Sequence, residues 1–169
     1  MEKWMSAKDK AAAIRSILKG KGWGSKEISV RSENFSMGSA VNVTIKSPWI
    51  AKKVVEEIAE GFSRIHRDES GEILSGSNCY VHVNYDSTMM NAMYKPVEEK
   101  IAALSVGGYL VIHGMQVARL APNSFEITRL PVNEDDVGHG MRNEWNAACA
   151  SHIVIGEAAH HGLLEKAAA

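Results

Sequence analysis

No stretch of this 169-residue sequence approaches the ~20 apolar residues that a bilayer-spanning helix needs. The longest apolar runs, such as Tyr109–Ile112, are a fraction of that length, and the polar Met1–Lys10 segment lacks the apolar core of a secretory leader. No membrane partner is therefore expected. Cysteine is scarce too: Cys79 and Cys149 are the only two and show no paired spacing. That excludes a disulfide framework and points to a reduced, cytoplasmic setting, with both as small apolar residues. The sequence also lacks the charge-rich, apolar-poor bias of a disordered chain, being 45% hydrophobic and 23% charged. A domain of this length buries roughly 70% of its unfolded surface, enough for a core without metal or cross-links.

Signatures of chemistry are missing as well. No Gly-x-Ser-x-Gly elbow is present, and Ser36-Met37-Gly38-Ser39 lies between two strands, where it cannot stand in for one. Lys19-Gly20-Lys21-Gly22 follows a helix and lacks the Gly-Lys-Ser/Thr ending of a phosphate loop, so its glycines read as helix terminators. No cofactor is implied.

What is present is a regular alternation of elements. Ser6 with Asp9 three residues on resembles a capping box, opening a helix through Lys19 with Ala12, Ile14, Ile17 and Leu18 as its apolar face. Glu27–Glu33 and Ala40–Ile45 alternate as the arms of a β-hairpin around an Asn34–Ser39 turn. Ser47-Pro48 predicts a helix start, with Ile50, Val54, Ile58, Phe62 and Ile65 at helical spacing. Asp68–Gly76 is rich in turn residues, with a short strand at Ile73-Leu74. Asn78–Asp86 is the clearest strand, and Ser87–Leu104 reads as a helix containing Pro96. Short strands follow at Tyr109–His113, Gln116–Leu120 and Phe125–Leu130, then an acidic loop over Pro131–Gly140. Arg142–Ala150 alternates as a further strand, with Trp145, Ala147 and Cys149 on one face, and Ser151 is positioned to cap a last helix through Lys166. The order α-β-β-α-β-α-β-β-β-β-α predicts an α+β fold, a mostly antiparallel sheet covered by helices. Residues 1–104 form an α+β unit, and residues 105–169 a β-rich extension ending in a helix, packed into the same globule.

Charge and polarity nominate the surfaces that could bind. Met1–Arg67 carries 13 basic against 7 acidic residues and Asp68–Ala169 carries 6 against 13, an asymmetry hidden in a net charge of −1. Lys8, Arg15, Lys19 and Lys21 cluster on and just after the first helix. Such a basic half attracts nucleic acid or an acidic protein surface, unless the two halves simply attract each other. Arg31, Asn42, Thr44, Tyr80, His82 and Asn84 alternate away from the apolar face of their strands. If those strands are neighbours, they build a hydrogen-bonding surface able to receive single-stranded nucleic acid, the plain alternative being a solvated outer face. Two metal-ligating groupings are weaker. Asp135, Asp136 and His139 share a glycine-flanked loop, and Glu157-x-x-His160-His161 is half of a di-iron helix motif without a second copy. Glu157 and His161 could equally pair along the helix.

Four segments carry a likeness. Ser29–Ser39 (SVRSENFSMGS) with the strand through Ile45, Arg67–Asn78 (RDESGEILSGSN) and Val81–Asp86 (VHVNYD) resemble large polyvalent protein-associated domain 29, across about half the chain. Ala150–His161 (ASHIVIGEAAHH) looks like the tail of stand-alone relatives. The resemblance implies a setting in phage and conjugative-element proteins, whose parts are suspected of protecting incoming DNA from host defences. It supplies no catalytic signature for particular positions. The expectation is a non-enzymatic mobile-element accessory protein that binds a macromolecule, a counter-defence inhibitor of the anti-restriction or anti-CRISPR type. Its partner would be a host protein or nucleic acid, engaged through the basic N-terminal half, with a homodimer left open. The rival expectation is a small metal-assisted hydrolase using Asp135, Asp136, His139 and one of His160 or His161.

Overall fold

The computed structural model describes residues 5–36, 38–65, 67, 69–73, 78–131, 140–144 and 146–164. The fold is α+β, as expected, but its strands form two small sheets instead of one. Contacts divide the chain into two compact units, Met1–Asp86 and Ser87–Ala169. The division falls ahead of the third helix, and the sequence-based boundary at residue 104 falls behind it. No helix among the described residues is long and apolar enough to cross a membrane.

In the first unit, α1 (Ala7–Gly20) opens on the expected capping box. Ser6 Oγ accepts from the Asp9 N–H at 3.2 Å and the Asp9 carboxylate accepts from the Ser6 N–H at 3.3 Å. Its buried stripe is Ala7, Lys10, Ala11, Ile14 and Leu18, at i, i+3, i+4, i+7 and i+11. Ala12 and Ile17, read from sequence as apolar-face residues, are exposed. Lys10 enters the stripe because its ammonium donates to the Phe62 carbonyl at 2.9 Å, satisfying a buried cation.

Strand β1 (Ile28–Phe35) pairs antiparallel with β2 (Gly38–Ile45), in register from Ile28↔Ile45 to Phe35↔Gly38. Strand β3 (Cys79–Tyr85) joins the other side of β2 in parallel, from Ser39↔Cys79 to Ile45↔Tyr85. A parallel neighbour needs a long crossover, which α2 (Lys52–Glu60) provides. Ile14 and Leu18 of α1, Val55 and Ala59 of α2, and Val30, Val41, Val43, Ile45 and Val83 of the sheet form one core on one sheet face.

Helix α2 corrects the expectation at both ends. Ser47 and Pro48 belong to a turn closed by the Ile50 N–H on the Ser47 carbonyl (3.2 Å), and the helix begins at Lys52 without a side-chain cap from its own segment. Tyr85 fills that role from β3. Its hydroxyl accepts from the Lys52 N–H at 3.0 Å and donates to the Ile50 carbonyl at 2.7 Å. The helix stops at Glu60 ahead of Gly61. Arg64 then exchanges two backbone hydrogen bonds with Cys79 (2.9 and 2.8 Å), so Ile65 lies beyond the helix and is exposed. Val55 and Ala59 take the fully buried positions, while Ile58 and Phe62 pack on the core only in part. Lys52 and Glu56 form an i,i+4 pair at 3.2 Å.

Burial pushes the Tyr85 phenol above its ordinary pKa, outweighing the lowering by the hydrogen bond from Lys52. With the folded pKa raised, the associated stability is fully present below the unfolded value near 10 and is lost as pH rises past it. Tyr85→Phe should cost about 1–3 kcal/mol near neutral pH, the expected penalty for leaving the Lys52 N–H and the Ile50 carbonyl without that partner. Urea unfolding at pH 7 and pH 11 checks both points, and the wild-type advantage should shrink at the higher pH.

In the second unit, α3 (Ser87–Ala102) contains Pro96. Strands β4 (Tyr109–Ile112), β5 (Met115–Ala121), β6 (Ser124–Arg129) and β7 (Gly140–Glu144) make an antiparallel sheet in sequence order. Helix α4 (Ala147–His161) packs on α3 and on this sheet. The predicted strand over Arg142–Ala150 stops at Glu144. Asn146 caps α4, its carboxamide oxygen accepting from the Cys149 N–H at 2.8 Å. Ser151, read as the cap, is fully buried inside the helix and donates to the Ala148 carbonyl at 2.8 Å. Ala147, Ala148 and Ala150 explain the misreading: small residues suit an alternating strand on paper but favour a helix once capped. Cys79 and Cys149 are both free thiols. Leu74 of the predicted short strand and Lys166 at the predicted helix end lie outside the described residues.

Candidate nucleic-acid interface

Side chains alternate across the three-stranded sheet, so the face opposite α1 and α2 is fixed by pairing register. Reading across β1, β2 and β3, its rows are Ser29–Thr44–Asn84, Arg31–Asn42–His82 and Glu33–Ala40–Tyr80, with Phe35 opposite Gly38 at the end. Arg31, Asn42, Thr44, Tyr80, His82 and Asn84, nominated from sequence, therefore do share one face of adjacent strands. Arg31, His82 and Asn84 are exposed, and Asn42, Thr44 and Tyr80 are half-buried.

The structure adds Phe35. Its ring stacks with Tyr80 at 6.3 Å between centroids and 24° between planes, and Tyr80 stacks with His82 at 6.2 Å and 6°. The result is a ladder of three rings, with Phe35 44% exposed at one end and His82 exposed at the other. Gly38 sits beside it. A Cβ there would lie 2.8 Å from the Asn78 carbonyl oxygen, tighter than packing tolerates, and 3.4 Å from the Phe35 ring, an ordinary contact. Phe35 is not among the residues that the sequence nominates, because it falls inside Asn34–Ser39, which reads as a turn. Continuing the β1 alternation through Arg31 and Glu33 reaches it.

Charge on this face is mixed. The Arg31 side chain has no hydrogen-bond or ion-pair partner among the described residues. Glu33 accepts from the Asn42 side-chain amide at 3.2 Å. The basic cluster of α1 lies elsewhere: Lys8, Arg15 and Lys19 form one helical stripe, at i, i+7 and i+11, with Lys21 just past the helix end. The Arg15 Nε–H donates to the Val30 carbonyl at 3.1 Å on the outer edge of β1. The nominated binding residues therefore fall into two groups on opposite sides of the sheet, with the β1 edge between them.

Asp135, Asp136 and His139 lie outside the described residues. His160 and His161 meet edge to face at 4.9 Å, and the His161 Nε2 sits 3.6 Å from a Glu157 carboxylate oxygen, an i,i+4 pairing along α4. Among the described residues no group of three or more His, Cys, Asp or Glu side chains could hold a metal ion. In the second unit, Tyr109, Val111 and Leu120 are exposed apolar side chains on β4 and β5. No protein-family model matches the chain, and no curated protein or solved structure matches it.

Proposed function

We propose that this chain is a non-enzymatic accessory protein that binds single-stranded nucleic acid on the outward face of its N-terminal sheet. The observation that carries the reading is the Phe35–Tyr80–His82 ladder beside Arg31. Unpaired bases stack on exposed aromatic faces whatever their sequence, each contributing about 1–3 kcal/mol, whereas a duplex hides those base faces. The mixed charge makes stacking the larger contribution and phosphate attraction the smaller. The resemblance to polyvalent protein-associated domains supplies the setting. A protein that covers unpaired DNA of a phage or conjugative element would shield it from host defences, a counter-defence role needing no catalytic group.

Fluorescence anisotropy with one labelled oligonucleotide, as single-stranded DNA, single-stranded RNA and duplex, tests the reading. One single strand at least should bind about tenfold or more tighter than the duplex, equivalent to one stacked base. The log–log salt slope should stay shallow, about −0.7 for each phosphate contacted. Duplex binding as tight as single-strand binding would refute the stacking account. Absence of binding to all three would leave a host protein as the partner.

A further inference from the structure

The α1 side of the sheet holds a cleft of about 460 Å³ along the outer edge of β1, lined among others by Arg15, Leu18, Lys19, Trp23, Ile28 and Val30. That volume suits a small molecule. Leu18, Ile28 and Val30 are buried and supply an apolar floor, while half-buried Trp23 packs on the core and offers a broad aromatic surface. Arg15 and Lys19 supply two positive charges. The Arg15 Nε–H is anchored on the Val30 carbonyl, which leaves its two terminal nitrogens without partners among the described residues; the Lys19 ammonium has none there either.

The end of a helix ordinarily repels anions through its exposed carbonyls. Here the Ile17, Leu18 and Lys19 carbonyls are occupied. The Lys21 N–H bonds to Ile17 and Leu18, Gly22 to Lys19 and Trp23 to Leu18, at 2.9–3.2 Å. Among the described residues no carboxylate lines the cleft. The nearby Glu27 is held by the Gly24 N–H at 2.9 Å and pairs with neither cation.

We infer that this cleft binds a nucleoside phosphate, the base lying against Trp23 and the phosphate meeting Arg15 and Lys19. An anchored guanidinium with its terminal nitrogens available is suited to bidentate phosphate recognition, and an indole to stacking on a base. The phosphate could belong to a free nucleotide or to the end of a nucleic-acid strand. The site lies on the opposite sheet face from the ring ladder and stands without it.

Calorimetric titration of the full chain with adenosine 5′-monophosphate, adenosine and inorganic phosphate tests the inference. The nucleotide should bind at least about tenfold more tightly than either fragment, because each fragment forfeits one half of the site. Arg15→Gln with Lys19→Gln, both exposed positions, should weaken nucleotide binding by at least the same factor. Phe35→Ala with Tyr80→Ala should leave it unchanged. A single strand bearing a 5′-phosphate that outbinds its 5′-hydroxyl counterpart only when Arg15 and Lys19 are intact would assign the site to strand ends. Equal affinities for the two strands, with the nucleotide still bound, would assign it to a free nucleotide. No nucleotide binding, or binding indifferent to the Arg15/Lys19 change, would overturn the inference whatever the ring ladder does.

Discussion

Ile14→Ala should lower the stability of the N-terminal unit by about 2–5 kcal/mol, while Ile17→Ala, three residues along the same helix, should change it by less than about 0.5 kcal/mol. Ile14 is fully buried in the core shared with Val30, Val43 and Val55. Removing most of its side chain forfeits transfer free energy and leaves a cavity that neighbouring β-branched residues fill poorly. Ile17 is 41% exposed and projects from the outer side of the helix. Both substitutions improve helix propensity slightly and to the same extent, so propensity cannot account for a difference between them. Urea unfolding followed by fluorescence should show a lowered midpoint with an unchanged slope for Ile14→Ala, the mark of lost stability without a changed unfolded state. Equal effects at the two positions would mean that α1 presents a different face to the sheet.

Much of this architecture was legible in the sequence because local signals and burial agreed. Ser6 and Asp9 opened α1, the Val41-Val43-Ile45 alternation marked β2, and Cys79–Tyr85 kept a strict period of two. Misreadings occurred where a distant group supplied what the local sequence lacked. The first turn of α2 is completed by the Tyr85 hydroxyl from 33 residues away, so Ser47-Pro48 looked like the start when it is only the preceding turn. Polarity patterns also carry no strand direction, which is why the parallel pairing of β2 with β3 was invisible.

The candidate binding face divides in the same way. Alternation placed Arg31, Asn42, Tyr80 and His82 together correctly once the strands proved adjacent. The ladder itself depends on a diagonal approach of Phe35 to Tyr80 past Gly38, two strands apart, which no spacing within one strand encodes. The basic residues of α1 were grouped by proximity in sequence. The fold puts them on the other side of the sheet, where Arg15 is tied to the β1 edge and Lys10 is buried.

Phe35→Ala combined with Tyr80→Ala should weaken single-strand binding roughly thirtyfold or more, since each stacked base is worth about 1–3 kcal/mol. The rings touch, so their losses need not add, and each single variant belongs beside the double one. Neither ring is part of the buried core, so the unfolding midpoint should move little. His82→Ala should have a smaller effect, because its ring is smaller. The decisive measurement is the anisotropy titration of one labelled single strand against wild-type and double-variant protein at low salt. The account predicts saturable wild-type binding and a loss of roughly thirtyfold or more in a variant that remains folded. Undiminished affinity in the double variant would contradict it.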